Sequence, residues 1–138
     1  MIILDTNVLS ELMKSQPDLS VVSWIKKHKP TNLFITTLTQ AEILYGLEIL
    51  PIGKRRNDLK AAAISMFELD FSGRILPFDP DAAELFATIA AKRRKIGLPI
   101  SQIDAQIAAI ALSHRATLAT RNVRDFEECN LNIVNPWE

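Results

Sequence analysis

The chain has 138 residues, of which 48% are hydrophobic and 23% are charged, and these values indicate one globular domain rather than a disordered chain. Its 16 Lys and Arg residues equal its 16 Asp and Glu residues in number, which excludes a uniformly basic surface but not local basic patches. Cys129 is the single cysteine, so a reducing, cytoplasmic location is expected. We therefore expect one soluble domain over residues 1–138, with no membrane span and no signal peptide.

The predicted elements begin with a strand at Ile2–Leu4, because a short continuous apolar run is typical of a strand buried on both faces of a parallel sheet. A helix over residues 18–27 follows, and Leu33–Thr36 is the second strand candidate. The next helix is expected to begin at Thr39. Thr39 and Glu42 have the spacing of a capping box, in which each side chain accepts a hydrogen bond from the other residue's backbone N–H.

The middle of the chain is predicted to hold two further helices and a third strand. Asn57 is expected to cap the first of these helices, since Asn accepts hydrogen bonds from free N–H groups at a helix start. Residues 75–78 are the third strand candidate, and Pro77 places that strand at an edge because proline cannot donate to a sheet ladder. Asp79 followed by Pro80 indicates the next helix start.

The last third of the chain predicts a helix opened by Ser101 and strands at 117–120 and 131–134. One face of this helix is expected to be buried against the sheet and to carry Ile103, Ile107, Ile110 and Ala111. Strands and helices therefore alternate along the whole chain. This pattern predicts a three-layer α/β/α sandwich around a mostly parallel sheet of about five strands.

Three carboxylates share one predicted edge of this sheet. Asp5 directly follows the first strand, and Glu42 and Asp104 are placed in the first turns of two helices. Carboxyl ends of parallel strands and the N-termini of the following helices meet at the edge where ligands bind in such sheets. Each residue also has a purely structural interpretation: Asp5 caps a helix starting at Asn7, and Glu42 and Asp104 complete capping boxes.

Clustered carboxylates raise one another's pKa unless a cation intervenes, and Mg²⁺ or Mn²⁺ is the expected partner because hard cations prefer oxygen ligands. The sequence contains no phosphate-binding glycine loop and no nucleophile elbow. His28 and His114 have no second ligand at metal-binding spacing, so a zinc site is not expected. The carboxylates are therefore the candidate chemistry of the chain.

Four segments resemble, in order, the motifs of the PIN-domain nucleases. They are Ile-Leu-Asp-Thr-Asn-Val-Leu at 3–9, Thr-x-Ala-Glu-Ile-x-x-Gly at 39–46, Asp-Ala-x-Ile-Ala-Ala at 104–109 and Ala-Thr-Arg-Asn at 119–122. The closing Val-Asn-Pro-Trp at 134–137 is similar to the toxins of VapBC-type toxin–antitoxin pairs. With the Gly-Lys-Arg segment at 53–55, it resembles the subgroup that includes the Fit trafficking proteins.

The resemblance implies a PIN-like fold and a metal-dependent endoribonuclease that hydrolyses phosphodiester bonds with a metal-activated water. It implies that Asp5, Glu42 and Asp104 are the catalytic, metal-binding carboxylates, and that Asn7 and Thr120 orient them. The implied cofactor is Mg²⁺ or Mn²⁺, and the implied partners are an RNA substrate and a small antitoxin protein. Operator DNA is implied only indirectly, through the antitoxin, and the toxin is expected to form homodimers within a larger complex.

The chain departs from the family pattern at Asn122, where the family often has a fourth acidic residue. An amide oxygen accepts hydrogen bonds but carries no charge, so Asp125 is the alternative fourth acid. A non-catalytic PIN-like binding module with a degenerate metal site is the alternative function. A small phosphohydrolase is a weaker one, because the second acid typical of those enzymes is replaced by Asn7.

Basic residues near the motifs are candidates for RNA contact. Lys54 and Arg55 are placed in an exposed connector between helices, and Arg121 and Arg124 flank the fourth motif, where cations can bind phosphate oxygens. The basic run at 92–95 ends a predicted helix. Its charges are explained by the helix dipole, which favours cations in the last turn.

Overall fold

A computed structural model describes all 138 residues as five strands and six α-helices. The strands are β1 (Ile2–Leu4), β2 (Leu33–Thr36), β3 (Ile75–Leu76), β4 (Thr117–Ala119) and β5 (Asn132–Val134). The helices are α1 (Thr6–Leu12), α2 (Leu19–Lys26), α3 (Thr37–Glu48), α4 (Lys54–Ser65), α5 (Pro80–Lys95) and α6 (Gln102–Ser113). Short 3₁₀ turns lie at Pro30–Asn32 and Val123–Phe126, and a π-helical turn lies at Met66–Asp70.

The strands form one parallel sheet in the order β3-β2-β1-β4-β5. The central strand β1 sends successive side chains to opposite faces, as strand geometry requires. Ile3 packs into a core with α5 and α6, whereas Leu4 packs into a second core with α1, α2, α3 and α4. The predicted three-layer sandwich with a parallel five-stranded sheet is therefore confirmed. No helix is long and apolar enough to cross a membrane.

Local sequence signals place several boundaries correctly. β3 lies at the edge of the sheet and ends before Pro77, as expected for a residue without a backbone N–H. Asp79 caps α5 by accepting a hydrogen bond from the Ala82 N–H at 2.9 Å, and Pro80 is the first helical residue. Ser101 caps α6 in the same way.

The predicted start of α3 is wrong by two residues. α3 begins at Thr37, and Thr36, the last residue of β2, caps it by accepting a hydrogen bond from the Thr39 N–H at 3.2 Å. Thr36 still has extended backbone geometry, so its hydroxyl reaches the free N–H groups that begin the helix. Glu42 therefore lies in the second turn, and the capping box predicted for Thr39 and Glu42 does not form.

The segment predicted as an exposed connector is the first turn of α4. Gly53 precedes this helix, and Asn57 lies inside it instead of capping it. Lys54 forms an ion pair with Asp58 at 2.8 Å, one turn along the exposed face. Lys54 thus supports the helix through a pair at this spacing, a use that the sequence interpretation did not assign to it.

The exposed side of α6 also differs from the prediction. Ile103 is 39% exposed, because it lies in the first turn of α6 and lines an open groove with Tyr45 of α3. The buried residues of α6 are Ala105, Ile107, Ala108, Ala109, Ile110 and Ala111. The prediction that this helix packs on the sheet is nevertheless confirmed, since these residues share a core with Ile3 and Leu118.

Gly46 provides a test of how α3 contributes to the stability of the protein. It is exposed inside α3, and a Cβ atom added there would meet no atom within 4 Å. Gly46→Ala should raise the free energy of unfolding by about 0.5–1 kcal/mol, because alanine loses less backbone entropy in a helix. Gly97→Ala is the control: Gly97 has φ +77, so alanine should lower stability there. Urea denaturation measures both, and no gain for Gly46→Ala would contradict the expectation.

Candidate active site

Asp5 is buried at the carboxyl end of β1, with 4% of its surface exposed. One carboxylate oxygen, Oδ1, accepts a hydrogen bond from the Thr6 N–H at 2.8 Å, so Asp5 caps α1. The other, Oδ2, accepts from the Thr120 hydroxyl at 2.7 Å and from the Asn7 amide at 3.2 Å. The capping interpretation of Asp5 is therefore correct, with α1 starting at Thr6, but capping uses only one of its two oxygens.

Thr6 connects the first two carboxylates. Its backbone N–H binds Asp5, and its hydroxyl donates a hydrogen bond to Glu42 Oε1 at 2.7 Å. The hydroxyl oxygen of Thr39 lies 3.0 Å from that of Thr6. Sequence reasoning did not assign a role to Thr6, although its place directly after Asp5 and at the start of α1 was the available signal.

Asp104 is the third residue of α6, where its N–H donates a hydrogen bond to the Ser101 hydroxyl at 3.1 Å. The predicted first-turn position is confirmed. Burial raises the pKa of Asp104, while its hydrogen bond with Ser101 opposes this rise. The negative charges of Asp125 and Glu42 raise the pKa further, and the positive charge of Arg93 lowers it.

Burial likewise raises the pKa of Asp5 to about 6. The hydrogen bonds from Thr120 and Thr6 lower it, and the negative charges of Asp104 and Glu42 raise it again. None of the ion pairs in the structure includes Asp5, Glu42, Asp104 or Asp125. The fold thus gathers several carboxylates at one edge of the sheet and pairs none of them with a cationic side chain.

Asn7 and Thr120 both donate side-chain hydrogen bonds to Asp5, as expected for residues that orient its carboxylate. Thr120 is fully buried, and the Asn7 amide donates to the Thr120 hydroxyl oxygen at 3.2 Å as well as to Asp5. The amide oxygen of Asn7 in turn accepts a hydrogen bond from the Arg121 N–H at 3.1 Å. This network joins α1 to the segment after β4 and holds the Asp5 carboxylate in one orientation.

Asn122 and Asp125 lie differently in the loop after β4. Asn122 is exposed, and its backbone N–H donates to the Thr120 hydroxyl oxygen at 3.1 Å. Asp125 is also exposed, within the 3₁₀ turn, but its charge acts on Asp104. Of the two residues, Asp125 is the one that adds negative charge to the cluster.

The candidate RNA-binding residues are divided between two surfaces. Arg55 and Lys14 line an open polar groove that shares Ser10 and Met13 with the groove beside Glu42. Arg121 packs over the Trp137 ring, with 5.0 Å between the guanidinium carbon and the ring centroid, and Arg124 is exposed. Lys54 is exposed and paired with Asp58.

The donor chemistry of the cluster fits a hard divalent cation, because carboxylate oxygens are the ligands that Mg²⁺ and Mn²⁺ prefer. No three His, Cys, Asp or Glu side chains are arranged closely enough to hold one ion together. This geometry fits Mg²⁺ bound by one or two carboxylates and several waters, and it does not fit a closed cage of protein ligands.

The sequence profile of the PIN domain matches residues 2–130. The chain belongs to the PIN-domain family. The resemblance found in the four motifs is therefore confirmed, and it extends over nearly the whole chain.

Similarity to individual PIN-domain proteins covers the full length. The chain is 41% identical to VapC ribonuclease Y4jK of Sinorhizobium fredii over 138 residues, which are 100% of this chain and 99% of that protein. It is 36% identical to toxin FitB of Neisseria gonorrhoeae over 137 residues, or 99% of each. The crystal structure of FitAcB from Neisseria gonorrhoeae superposes with a TM-score of 0.94 at 36% identity, covering 100% of this chain and 99% of that chain. The predicted membership of the Fit-like subgroup is confirmed.

The raised pKa of Asp5 in this PIN domain makes stability depend on pH. Its pKa is about 6 in the folded protein against 3.8 ordinarily, so its contribution to stability is complete below pH 3.8 and is lost as pH rises through 6. The loss at pH 7.5 is on the order of 3 kcal/mol. Without metal, Asp5→Asn should therefore gain stability relative to the wild type between pH 4 and pH 7.5.

Urea denaturation in the presence of a chelator measures this difference at both pH values. The exposed Asp81 on α5 supplies the matched control, and Asp81→Asn should not reproduce the pH-dependent gain. A stability difference between Asp5→Asn and the wild type that stays constant with pH would contradict the burial argument.

Proposed function

We propose that this chain is a metal-dependent endoribonuclease and acts as the toxin of a toxin–antitoxin pair. The observation that carries the proposal is the cluster of unpaired carboxylates, centred on buried Asp5, at the carboxyl edge of a parallel sheet. Such a cluster is unfavourable in an isolated protein, since like charges and burial oppose ionisation. Similarity to a VapC ribonuclease and to toxin FitB supports the assignment.

Among Asp5, Glu42 and Asp104, one or two carboxylates would bind Mg²⁺ or Mn²⁺ directly, and the remaining carboxylate would act through the waters of the ion. A bound dication would neutralise the carboxylates, activate water and stabilise the charge that develops in phosphodiester hydrolysis. The protein's own contribution is orientation: Thr120 and Asn7 fix the carboxylate of Asp5 through hydrogen bonds. In metal sites such outer partners are worth about 10- to 100-fold in affinity or activity.

Thr6 has the corresponding role at Glu42, because its hydroxyl donates to Oε1. The remaining oxygen, Oε2, accepts no hydrogen bond from the protein and so stays available to the ion or to metal-bound water. Thr6 thereby contacts both Asp5 and Glu42, two candidate ligands that lie 37 residues apart in sequence, and fixes their relative position.

RNA would reach this site along the joined grooves that meet at Ser10 and Met13. Arg55 in the outer groove would bind a phosphate, and Tyr45, which is 68% exposed beside Glu42, offers a face for base stacking. Arg121 and Arg124 would bind phosphate on the opposite side of the cluster, after β4. Together these residues position a single strand across the carboxylates.

The proposed physiological partner is a small antitoxin that covers the carboxylate cluster and connects the toxin to operator DNA. The solved structure of FitAB bound to a DNA fragment, to which this chain is similar along its whole length, supports this partner. We further propose a homodimer of this chain as the unit that the antitoxin binds, within a larger toxin–antitoxin assembly.

Conservative amide variants should separate catalysis from stability. Glu42→Gln keeps the oxygen that accepts from Thr6, and Asp104→Asn keeps the backbone N–H that donates to Ser101, so both should fold normally. Loss of a charged ligand should lower RNA cleavage by more than about 100-fold, which exceeds the usual effect of outer partners. Cleavage of single-stranded RNA with Mn²⁺, alongside thermal melting, measures the two properties.

Glu84→Gln is the matched control, since Glu84 is exposed on α5 and forms no ion pair. It should leave cleavage unchanged. Cleavage at the wild-type rate by Glu42→Gln and Asp104→Asn would exclude the proposed site. A wild type that binds RNA but does not cleave it with either metal would favour the alternative of a non-catalytic binding module.

The toxin role makes a separate prediction in cells. Expression of the chain alone should arrest bacterial growth, and Glu42→Gln should abolish the arrest while the protein still accumulates. Growth curves and immunoblots of the wild type, Glu42→Gln and Glu84→Gln measure this. Equal arrest by the wild type and Glu42→Gln would separate growth inhibition from cleavage.

A further inference from the structure

Glu11 of α1 is a buried carboxylate that the proposed mechanism does not use. It is 7% exposed, and both of its oxygens accept hydrogen bonds. Oε1 accepts from the Lys14 ammonium at 3.0 Å, and Oε2 accepts from the Asp18 N–H at 3.0 Å. The hydrogen bond from Lys14 lowers the pKa of Glu11, and the one from Asp18 adds to this effect. The charged carboxylate is therefore satisfied by two donors that follow α1 in sequence.

These two donors lie at the two ends of the loop between α1 and α2. Lys14 is at its beginning, and Asp18 at its end caps α2 by accepting a hydrogen bond from the Ser20 N–H at 2.8 Å. Residues 13–18 belong to no helix or strand, so no regular hydrogen-bond ladder fixes the path of the loop. Glu11 binds the loop at both ends and thereby restrains it.

The restrained loop forms one wall of the outer groove. Lys14, Ser15 and Gln16 line this groove from the loop, and Arg55 lines it from α4. The groove has a volume of about 640 Å³, and only two of its seven lining residues are hydrophobic. A polar, partly cationic lining of this kind suits a polar, anionic ligand better than an apolar helix face.

The outer groove continues to the carboxylate cluster. It shares Ser10 and Met13 with the groove lined by Thr6 and Glu42. Helix α1 has seven residues, so at 1.5 Å per residue its far end, where the loop begins, lies about 10 Å from Thr6. A polymer that crosses Glu42 and follows the grooves therefore places a neighbouring unit against the loop, at a distance from the unit that contacts the carboxylates.

The side chains of this wall fit one nucleotide of single-stranded RNA. Lys14 keeps two N–H donors besides the one that binds Glu11, and Arg55 forms no ion pair, so both can bind phosphate oxygens. Gln16 is exposed, and its carboxamide donates and accepts side by side, as the reading of an unpaired base edge requires. The loop thus offers a phosphate contact and a base contact two residues apart.

We propose that the loop between α1 and α2 is a subsite for one nucleotide of the RNA strand: Lys14 binds its phosphate, Gln16 reads its base, and Glu11 is the positioning residue that holds the loop. The inference rests on the proposed function and deepens it by naming residues that determine where an RNA is cut. The carboxylates act on a phosphodiester group that is the same at every nucleotide, so a sequence preference must come from another part of the groove.

RNA binding without metal separates the phosphate contact from the base contact. The measurement is fluorescence anisotropy of a labelled single-stranded RNA with the full-length chain in chelator, at several salt concentrations. Lys14→Gln should reduce the slope of log affinity against log salt by about 0.7, because one phosphate contact fewer releases fewer counterions. Gln16→Ala removes no charge and should keep the slope. Lys26→Gln is the matched control, since Lys26 is exposed on α2 and lines neither groove.

Cleavage of a random-sequence single-stranded RNA with Mn²⁺, with the cut sites mapped by sequencing, measures the base contact. The wild type should prefer one base at one position beside the cut, and Gln16→Ala should relax this preference by about 5- to 150-fold, the range for a paired contact to a base edge. Glu11→Gln should relax the same position and raise KM at unchanged kcat. The reason is that glutamine has a single acceptor oxygen and cannot bind both the Lys14 and the Asp18 donors. Glu84→Gln is the control and should do neither.

A purely structural Glu11 would lower the melting temperature of Glu11→Gln without moving the base preference, and that result would overturn its positioning role. The subsite itself is overturned if Lys14→Gln keeps the wild-type salt slope or if Gln16→Ala keeps the wild-type preference. Lys14 and Gln16 are exposed, so their variants decide this even if Glu11→Gln does not fold. If the wild type cleaves no RNA, the proposed function fails, and the anisotropy measurement still decides whether the loop binds RNA.

Discussion

The burial of one carboxylate, that of Asp5, is the constraint on which the rest of the site depends. It ends the central strand of the sheet and is nearly inaccessible to water, so the protein must replace the lost hydration with hydrogen bonds. Three donors do so: the Thr6 N–H at the start of α1, the Thr120 hydroxyl after β4 and the Asn7 amide. Thr120 lies 115 positions away in sequence, and the parallel pairing of β1 with β4 brings it there.

These donors only partly offset the burial. The pKa of Asp5 remains about 6 because burial outweighs these hydrogen bonds, and the negative charges of Asp104 and Glu42 add to the rise. The sheet tolerates this unfavourable arrangement because each of its faces carries a separate apolar core. Stability is thus supplied by the layers on either side, and the carboxyl edge of the sheet is left with charges that a bound cation would stabilise.

A second set of polar contacts surrounds the first. Thr6 binds Asp5 through its backbone N–H and Glu42 through its hydroxyl, and Arg93 donates a hydrogen bond to the backbone carbonyl of Asp125. Both residues act through hydrogen bonds to groups from distant parts of the chain. In the proposed nuclease, Thr6 would fix the position of Glu42 relative to Asp5 before any metal or RNA binds.

The sequence by itself determined the layer architecture and the edge of the sheet at which the carboxylates gather. Short apolar runs such as Ile2–Leu4, and local signals such as Asp79 followed by Pro80, act within a few residues, so they can be read without knowing the fold. The motifs around Asp5, Glu42 and Asp104 also identified the family, which the profile match confirms. Their metal binding stays a prediction.

Only the tertiary structure decided which polar groups meet. Thr36 caps α3, Lys54 and Arg55 lie within α4, and Arg93 is buried. The charge of Asp125 acts on Asp104, whereas Asn122 is exposed. The reason is physical: the residues next to a hydroxyl, a carbonyl or a guanidinium in sequence do not reveal whether its hydrogen-bond partner is water or a residue far along the chain. The order of the strands and the paths of the loops determine which groups meet, and the spacing of residues in a short segment predicts neither.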